Sequence, residues 1–582
     1  MPSHLAPSVD HLLAQARQAE ASGQYRQAFD TLYAAIALAP DSARARAALG
    51  QFLVAHCPAR RHADVDRVLS LALDQAWVRP SDLAPVVLAY LAAEPAVAQA
   101  LSASPAGTSR QAPSARQLLT VAGCLDDQPV FCTVARVAIL ADADWQTLLA
   151  RLRDLLLARR HEGKRDTPLR LTLAMALQND LTEGIEPPSP DTLARAQALE
   201  AALLTRTQIG TAINAADIAL VATAIPLGSS PLGGLLQSSH APREWPGLGP
   251  LIERMQAAAR EAVLRERLIA DTGRAPGEHT AARADPATKP GYTRQPLSND
   301  PVRDHYDAHP YPRWVREPLG MPAHLPAAVA RRVAAWPSTG AQVLVAGCGT
   351  GQQIFVAHDR YPLAKIVAID FSVNALAHAA HKCAEAGLGD ITFRAMDLHH
   401  ANRLGQTFRA IECVGVLPHL PDPEAGLAAL AGVMTPDAVM YVAVYSARAR
   451  APFEALRRRI DAEGWRDDAE GRLAFRRTLI HEGGPSLPDV VARSPDFHAA
   501  GGLRDLLFHV RECALPMTEW VAMAQRQGLK LLAVDASAAT DAMARSVVDQ
   551  DPATLTPDQW DEVEQAYPAA FAGLYRLWLV KA

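Results

Sequence analysis

Gly347, Gly349 and Gly351 form a GxGxG turn directly after the apolar run VLVAG. A glycine turn at the carboxyl end of a strand lets the backbone approach a ligand closely. A dinucleotide-binding turn places its third glycine one residue later, where this chain has Gln352, which argues against NAD or FAD and against an oxidoreductase. The next β-branched run, KIVAID, ends in Asp370, nineteen residues after Gly351. An acid at that distance can accept hydrogen bonds from both hydroxyls of a ribose. The run after it, DITFRAMD, ends in Met396 and Asp397, placed to pack on an adenine ring and hold its amino group.

Other residue types suggest acid–base and ring chemistry. His419 follows the fourth run, AIECVGVL, and is either a general base or a histidine of a surface loop. Tyr306, Tyr311 and Trp314 precede the first run. They form a lid over the ligand, with cation–π reach, or anchor a linker to the sheet. Asp505 and His509 are four apart, which puts them on one helix face, with Glu512 a turn further and Arg504 adjacent. They are an acceptor site or a set of surface ion pairs. His498 with Asp505 and His509 has no metal-ligand spacing, so no metal is expected. Cys348 and Cys413 flank the glycine turn and the fourth run and are expected to be small packing residues.

The elements that must position these residues differ between the two halves of the chain. At about 100–200 residues per domain, 582 residues make two to four domains. Apolar residues make up 49% and charged residues 20%, which excludes a largely disordered chain. Lys plus Arg is 57 against 62 for Asp plus Glu, so a dedicated nucleic-acid binder is not expected. No apolar run reaches membrane-spanning length, and the start lacks the pattern of a secretory signal. Seven scattered cysteines without a CxxC pair fit reduced thiols in a cytoplasmic protein.

Val9 to Pro40 has the pattern of a helical hairpin. Leu12, Ala16 and Ala19 line one helix, Gly23 makes the turn, and Ala28, Leu32 and Ala35 line the other. A looser copy starts near Ala43 with Leu49, Gly50 and Leu53. These hairpins resemble tetratricopeptide repeats, which implies a protein or peptide partner for residues 1–110. Residues 111–270 read as further helices, among them 147–160, 169–181, one starting at Ser189 or Asp191, and a long apolar one over 215–227. A Gly/Pro-rich linker is expected over 271–298. Residues 299–582 alternate strands with helices, which predicts a largely parallel α/β sheet, with an insertion around 450–525.

VLVAGCGTG, AIDFS, AMDL and FRAIECVGVLPHLPDP together resemble the motifs of class I S-adenosylmethionine-dependent methyltransferases. DHYDAHPYPRW, VAVYSARAR and GGLRDLLFHVREC narrow the resemblance to bacterial fusions of tetratricopeptide repeats with such an enzyme. The resemblance implies a Rossmann-like domain after an all-α half, with S-adenosylmethionine as cofactor. It implies cofactor contacts from Gly347, Cys348, Gly349, Gly351, Asp370, Phe371, Met396, Asp397 and Val414. The chain departs from the family pattern at Val345, where an acid is common, and at Pro418, where a histidine is common. Those departures keep open a second reading, a cofactor-binding adaptor that does not turn over. No acceptor follows from the resemblance.

Overall fold

Ser8 caps the helix Val9–Ala21 by accepting a hydrogen bond from the amide of His11. Leu12, Ala16 and Ala19 are buried along it, and Gly23 turns the chain at φ 72. The helix Tyr25–Leu38 returns with Ala28, Leu32 and Ala35 buried. The helices Ala43–His56 and Ala63–Asp74 follow, the second packed mainly on the helix Pro129–Val137 and not on the first. At Gly50 an added Cβ would lie 2.8 Å from Val78 Cγ1, so close packing of the chain there depends on glycine.

Further helices follow, including Ala143–His161, Leu169–Leu181 and Pro190–Gln208. Ser189, and not Asp191, caps the last of these. The helix expected over 215–227 stops at Ala222. Pro226 keeps the residue before it out of the helical region, and a short 3₁₀ turn, Leu227–Ser229, follows.

This computed structural model describes residues 8–58, 60–103, 112–238, 240–271, 301–321, 325–337 and 340–582. The expected linker lies outside the described residues except for Asp271, which ends a helix. Among the described residues no single helix is long and apolar enough to cross a membrane.

The chain divides into two units. The first comprises Met1–Ala257, Arg313–Pro322 and Trp465–Asp505; the second comprises Ala258–Pro312, Ala323–Gly464 and Leu506–Ala582. Two stretches expected within the α/β domain, 313–322 and most of the insertion, thus group with the helices. Buried polar side chains explain this. Arg476 is 1% exposed and donates to the carbonyl of Phe497, to Gln146 and to Glu186 (2.6 Å). Glu183 pairs with Arg313 at 3.2 Å and accepts from the amide of Gly501 at 2.6 Å. None of these partners is near in sequence, so no periodicity could have announced them.

The second unit is built on seven strands: β1 (Gln342–Ala346), β2 (Lys365–Asp370), β3 (Ile391–Ala395), β4 (Phe408–Val414), β5 (Met434–Val444), β6 (Leu529–Val534) and β7 (Tyr575–Lys581). Their order is β3-β2-β1-β4-β5-β7-β6. The first five are parallel, and β7 runs antiparallel between β5 and β6. The apolar runs fit strands covered on both faces. Leu344, Ile411 and Met440 share one core with Trp520 and Trp560. The strand order reverses between β1 and β4, which opens a crevice at the carboxyl ends of those strands.

Candidate active site

The glycine turn lies in that crevice. Gly347 and Gly351 have φ of 69 and 101, in the left-handed region that favours glycine. A Cβ at Gly347 would sit 2.4 Å from Val416, and one at Gly351 would sit 2.8 Å from Ala379. The amides of Gly347 and Cys348 donate to the carbonyl of Ile369, which ties the turn to the end of β2. Asp370, the last residue of β2, accepts from the amide of Gly349 on one oxygen and that of Ser372 on the other, each at 2.8 Å. Burial pushes its carboxyl up to about 6. The amide of Phe371 also bonds this carboxyl, and a carboxylate offers about four acceptor sites in all, which leaves room for a ribose hydroxyl.

Asp397 follows β3. Its Oδ1 accepts from the amide of His399 at 3.0 Å and meets that ring's Nδ1 at 2.8 Å. Burial pushes this carboxyl up, but the contacts with His399 outweigh it and hold the group below its ordinary range. Val345, in the position where the family often has an acid, pairs in register with Glu412 of β4. That carboxylate is committed to Arg360 (2.8 and 3.1 Å) and Gln353, so the neighbouring strand does not return a free acid to the turn.

The segment before the sheet lies across this end. Thr350 donates to the carbonyl of Pro312 (2.7 Å), Asn374 to that of Asp307 (2.6 Å) and Ser372 to that of Tyr306 (3.3 Å). The Tyr306 ring stands 6.4 Å from both Phe371 and Tyr311. These bonds anchor the segment that carries Tyr306 and Tyr311 to the ends of the strands. Trp314 is buried but belongs to the stretch that groups with the helical unit.

On its other side Tyr306 meets imidazoles. Its ring is 5.7 Å from His509 and 6.5 Å from His419, and those two rings are 4.1 Å apart. His305, on the helix Pro301–Ala308, is 4.8 Å from His509. His419 is 5% exposed, which rules out the surface-loop reading. Burial pushes His419 down, and burial with His419, His305 and Arg457 pushes His509 to about 2.

The expected shared helix face for Asp505, His509 and Glu512 is not formed. The helix Ala500–Leu507 ends first, so His509 and Glu512 stand on the extended chain beyond it. Asp505 is buried and falls in the helical unit. Glu512 is clamped by Arg450 (2.7 and 2.6 Å) and Arg457 (2.6 Å), both on the helix Ala447–Glu463. The chain around it is also pinned: the amide of Cys513 donates to the carbonyl of Pro418 at 2.8 Å.

His498 lies in the helical unit, with Nδ1 beside Gln146 Oε1 and Nε2 beside the carbonyl of Ala492. Cys348 and Cys413 are buried thiols pushed up by burial, as packing residues should be. Sequence reasoning missed His305, Tyr445 and Arg511. His305 directly precedes Tyr306 in the quoted lid motif, so a signal was present; the other two act through long-range contacts.

Residues 343–437 match the family model for the methyltransferase domain. An uncharacterised protein of Synechococcus is 39% identical over 166 residues, which are 27% of this chain and 39% of that protein. The match therefore spans well under half of that relative's length. Among solved structures, PKMT2 from Rickettsia typhi is 13% identical with a TM-score of 0.36, covering 46% of this chain and 54% of that one. Magnesium protoporphyrin IX methyltransferase from Synechocystis is 24% identical with a TM-score of 0.20, covering 26% of this chain and 80% of that one. The residues that the methyltransferase model matches, 343–437, all lie within the second unit.

Proposed function

We propose that the chain is an S-adenosylmethionine-dependent methyltransferase, with His419 as the proton acceptor and the helical hairpins as the surface that recognises a protein or peptide partner or substrate. The observation that carries the cofactor reading is Asp370. It is a buried carboxylate at the end of β2, one strand from the strand-order reversal, held by backbone amides beside a tight glycine turn. When bound, the cofactor supplies an electrophilic methyl group on a sulfonium. Asp370 would hold the ribose hydroxyls, Gly347–Gly351 the methionine portion, and Met396 with Asp397 the adenine. Tyr306 and Tyr311 would exclude water and present aromatic faces to the cation. His419 would take the proton that the acceptor loses.

Isothermal titration of the full chain with S-adenosylmethionine tests this reading. Saturable binding is expected, and Asp370→Ala is expected to abolish it. An unmutated chain that binds no S-adenosylmethionine contradicts the proposal.

A further inference from the structure

His419 and His509, whose rings are 4.1 Å apart, share one unusual neighbour, the peptide unit of Arg511. Its amide donates to Nδ1 of His509 at 3.0 Å. Its carbonyl lies 2.9 Å from Nδ1 of His419 and can only accept. A neutral imidazole carries one proton, and the bond at one nitrogen decides which nitrogen holds it. His509 therefore has a lone pair on Nδ1 and its proton on Nε2. His419 has the reverse, with its proton on Nδ1 and a lone pair on Nε2, which faces the hydroxyl of Tyr445 at 3.5 Å. Turning either ring over would break a buried bond to the main chain.

We infer that His419 and His509 are a pair locked in opposite tautomers, one to take a proton and one to donate a hydrogen bond, and that the methyl acceptor is a hydroxyl (a phenol or enol) and not an amine. This rests on the methyltransferase reading above. Among the described residues, Nε2 of His509 has no hydrogen-bond partner although it is buried. A buried donor left open is costly, and an acceptor oxygen would complete it. An ammonium could not, because it offers only donors. Burial disfavours the charged form of both rings, so His419 is a weak base. In the step, the acceptor's O–H bond breaks and its proton goes to Nε2 of His419. The freed pair on oxygen forms the bond to the methyl carbon as the carbon–sulfur bond breaks, its pair staying on sulfur. Nε2–H of His509 donates to the oxygen while it carries negative charge.

Nitrogen NMR of the full chain labelled with ¹⁵N-histidine reads tautomers directly. The two signals are assigned by their loss in His419→Gln and His509→Gln. At neutral pH the expected result is a proton on Nδ1 of His419 and on Nε2 of His509. The same tautomer on both rings, or a charged ring at either, overturns the pair. The acceptor class is read with methyl-labelled S-adenosylmethionine in lysate of a strain lacking the protein, followed by hydriodic acid. Label released as volatile iodomethane marks an O-methyl product and supports the assignment. Label retained as N-methyl overturns it. Failure to bind S-adenosylmethionine in the titration would instead remove the underlying methyltransferase reading, so the two failures are distinct.

Discussion

Each unit buries a histidine among charged and polar neighbours, and the two sets end differently. In the helical unit, His498 has an oxygen beside each ring nitrogen, and the adjacent Arg476 spends its guanidinium on Phe497, Glu186 and Gln146. In the second unit, one peptide unit fixes one nitrogen on each of His419 and His509. The other nitrogen of His419 meets the hydroxyl of Tyr445 at 3.5 Å, and the N–H of His509 keeps no hydrogen-bond partner among the described residues. Both clusters are buried. What separates a structural cluster from a reactive one is the capacity left over after the fold has been satisfied.

Breaking the second cluster should have the largest effect on activity. His419→Phe is expected to lower labelled-methyl transfer by roughly 10²–10⁴-fold, the range for losing a general base. The variant should bind S-adenosylmethionine as the unmutated chain does. Loss of cofactor binding together with activity would instead mean that His419 is structural.

The mirror experiment breaks the first cluster. Arg476→Ala leaves Glu186 and Gln146 without their buried partner and is expected to cost roughly 3 kcal/mol, read as a lower urea midpoint. An unchanged midpoint would show that the cluster does not hold the 465–505 stretch to the helices.

Acid should sharpen the contrast. Burial, with Arg476 adding to it, pushes His498 from 6.5 down to about 4. The unfolded chain takes up this proton near pH 6.5, whereas the folded chain does so only near 4. The stability this neutral ring contributes is thus complete above 6.5 and is lost as pH falls toward 4, with about 2 kcal/mol gone by pH 5. Denaturation of unmutated chain and His498→Phe at pH 7.5 and 5 should show a steeper loss in the former.

A smaller effect is expected at the cofactor crevice. Asp370, raised to about 6 by burial, is ionised above that pH and protonated below it. Affinity for S-adenosylmethionine should therefore fall about tenfold between pH 7 and 5, measured by titration calorimetry. A flat affinity over that range would mean that the ionised carboxylate does not carry ribose binding.

How much of this was legible in the sequence follows from how local the causes are. The glycine turn and Asp370 are strand-end features a few residues long, and their spacing survives in the fold unchanged. The first hairpin is equally local, with its small residues at helical spacing and a left-handed glycine between. His419 and His509 were each visible as candidates, but not as a pair. They meet only because the chain leaves its helix at Leu507 and lays Arg511 against the turn after β4. Helical spacing assigned His509 to the wrong element for the same reason. Arg476 gave no signal, since its partners at 146 and 186 are far along the chain.

Transfer of labelled methyl from S-adenosylmethionine into lysate of a strain lacking the protein, with the full chain run against Asp370→Ala, tests the central claim most directly. The expected result is a labelled product with the full chain and none with the variant. Equal labelling by both, or no labelled product from a chain that binds the cofactor, would contradict it.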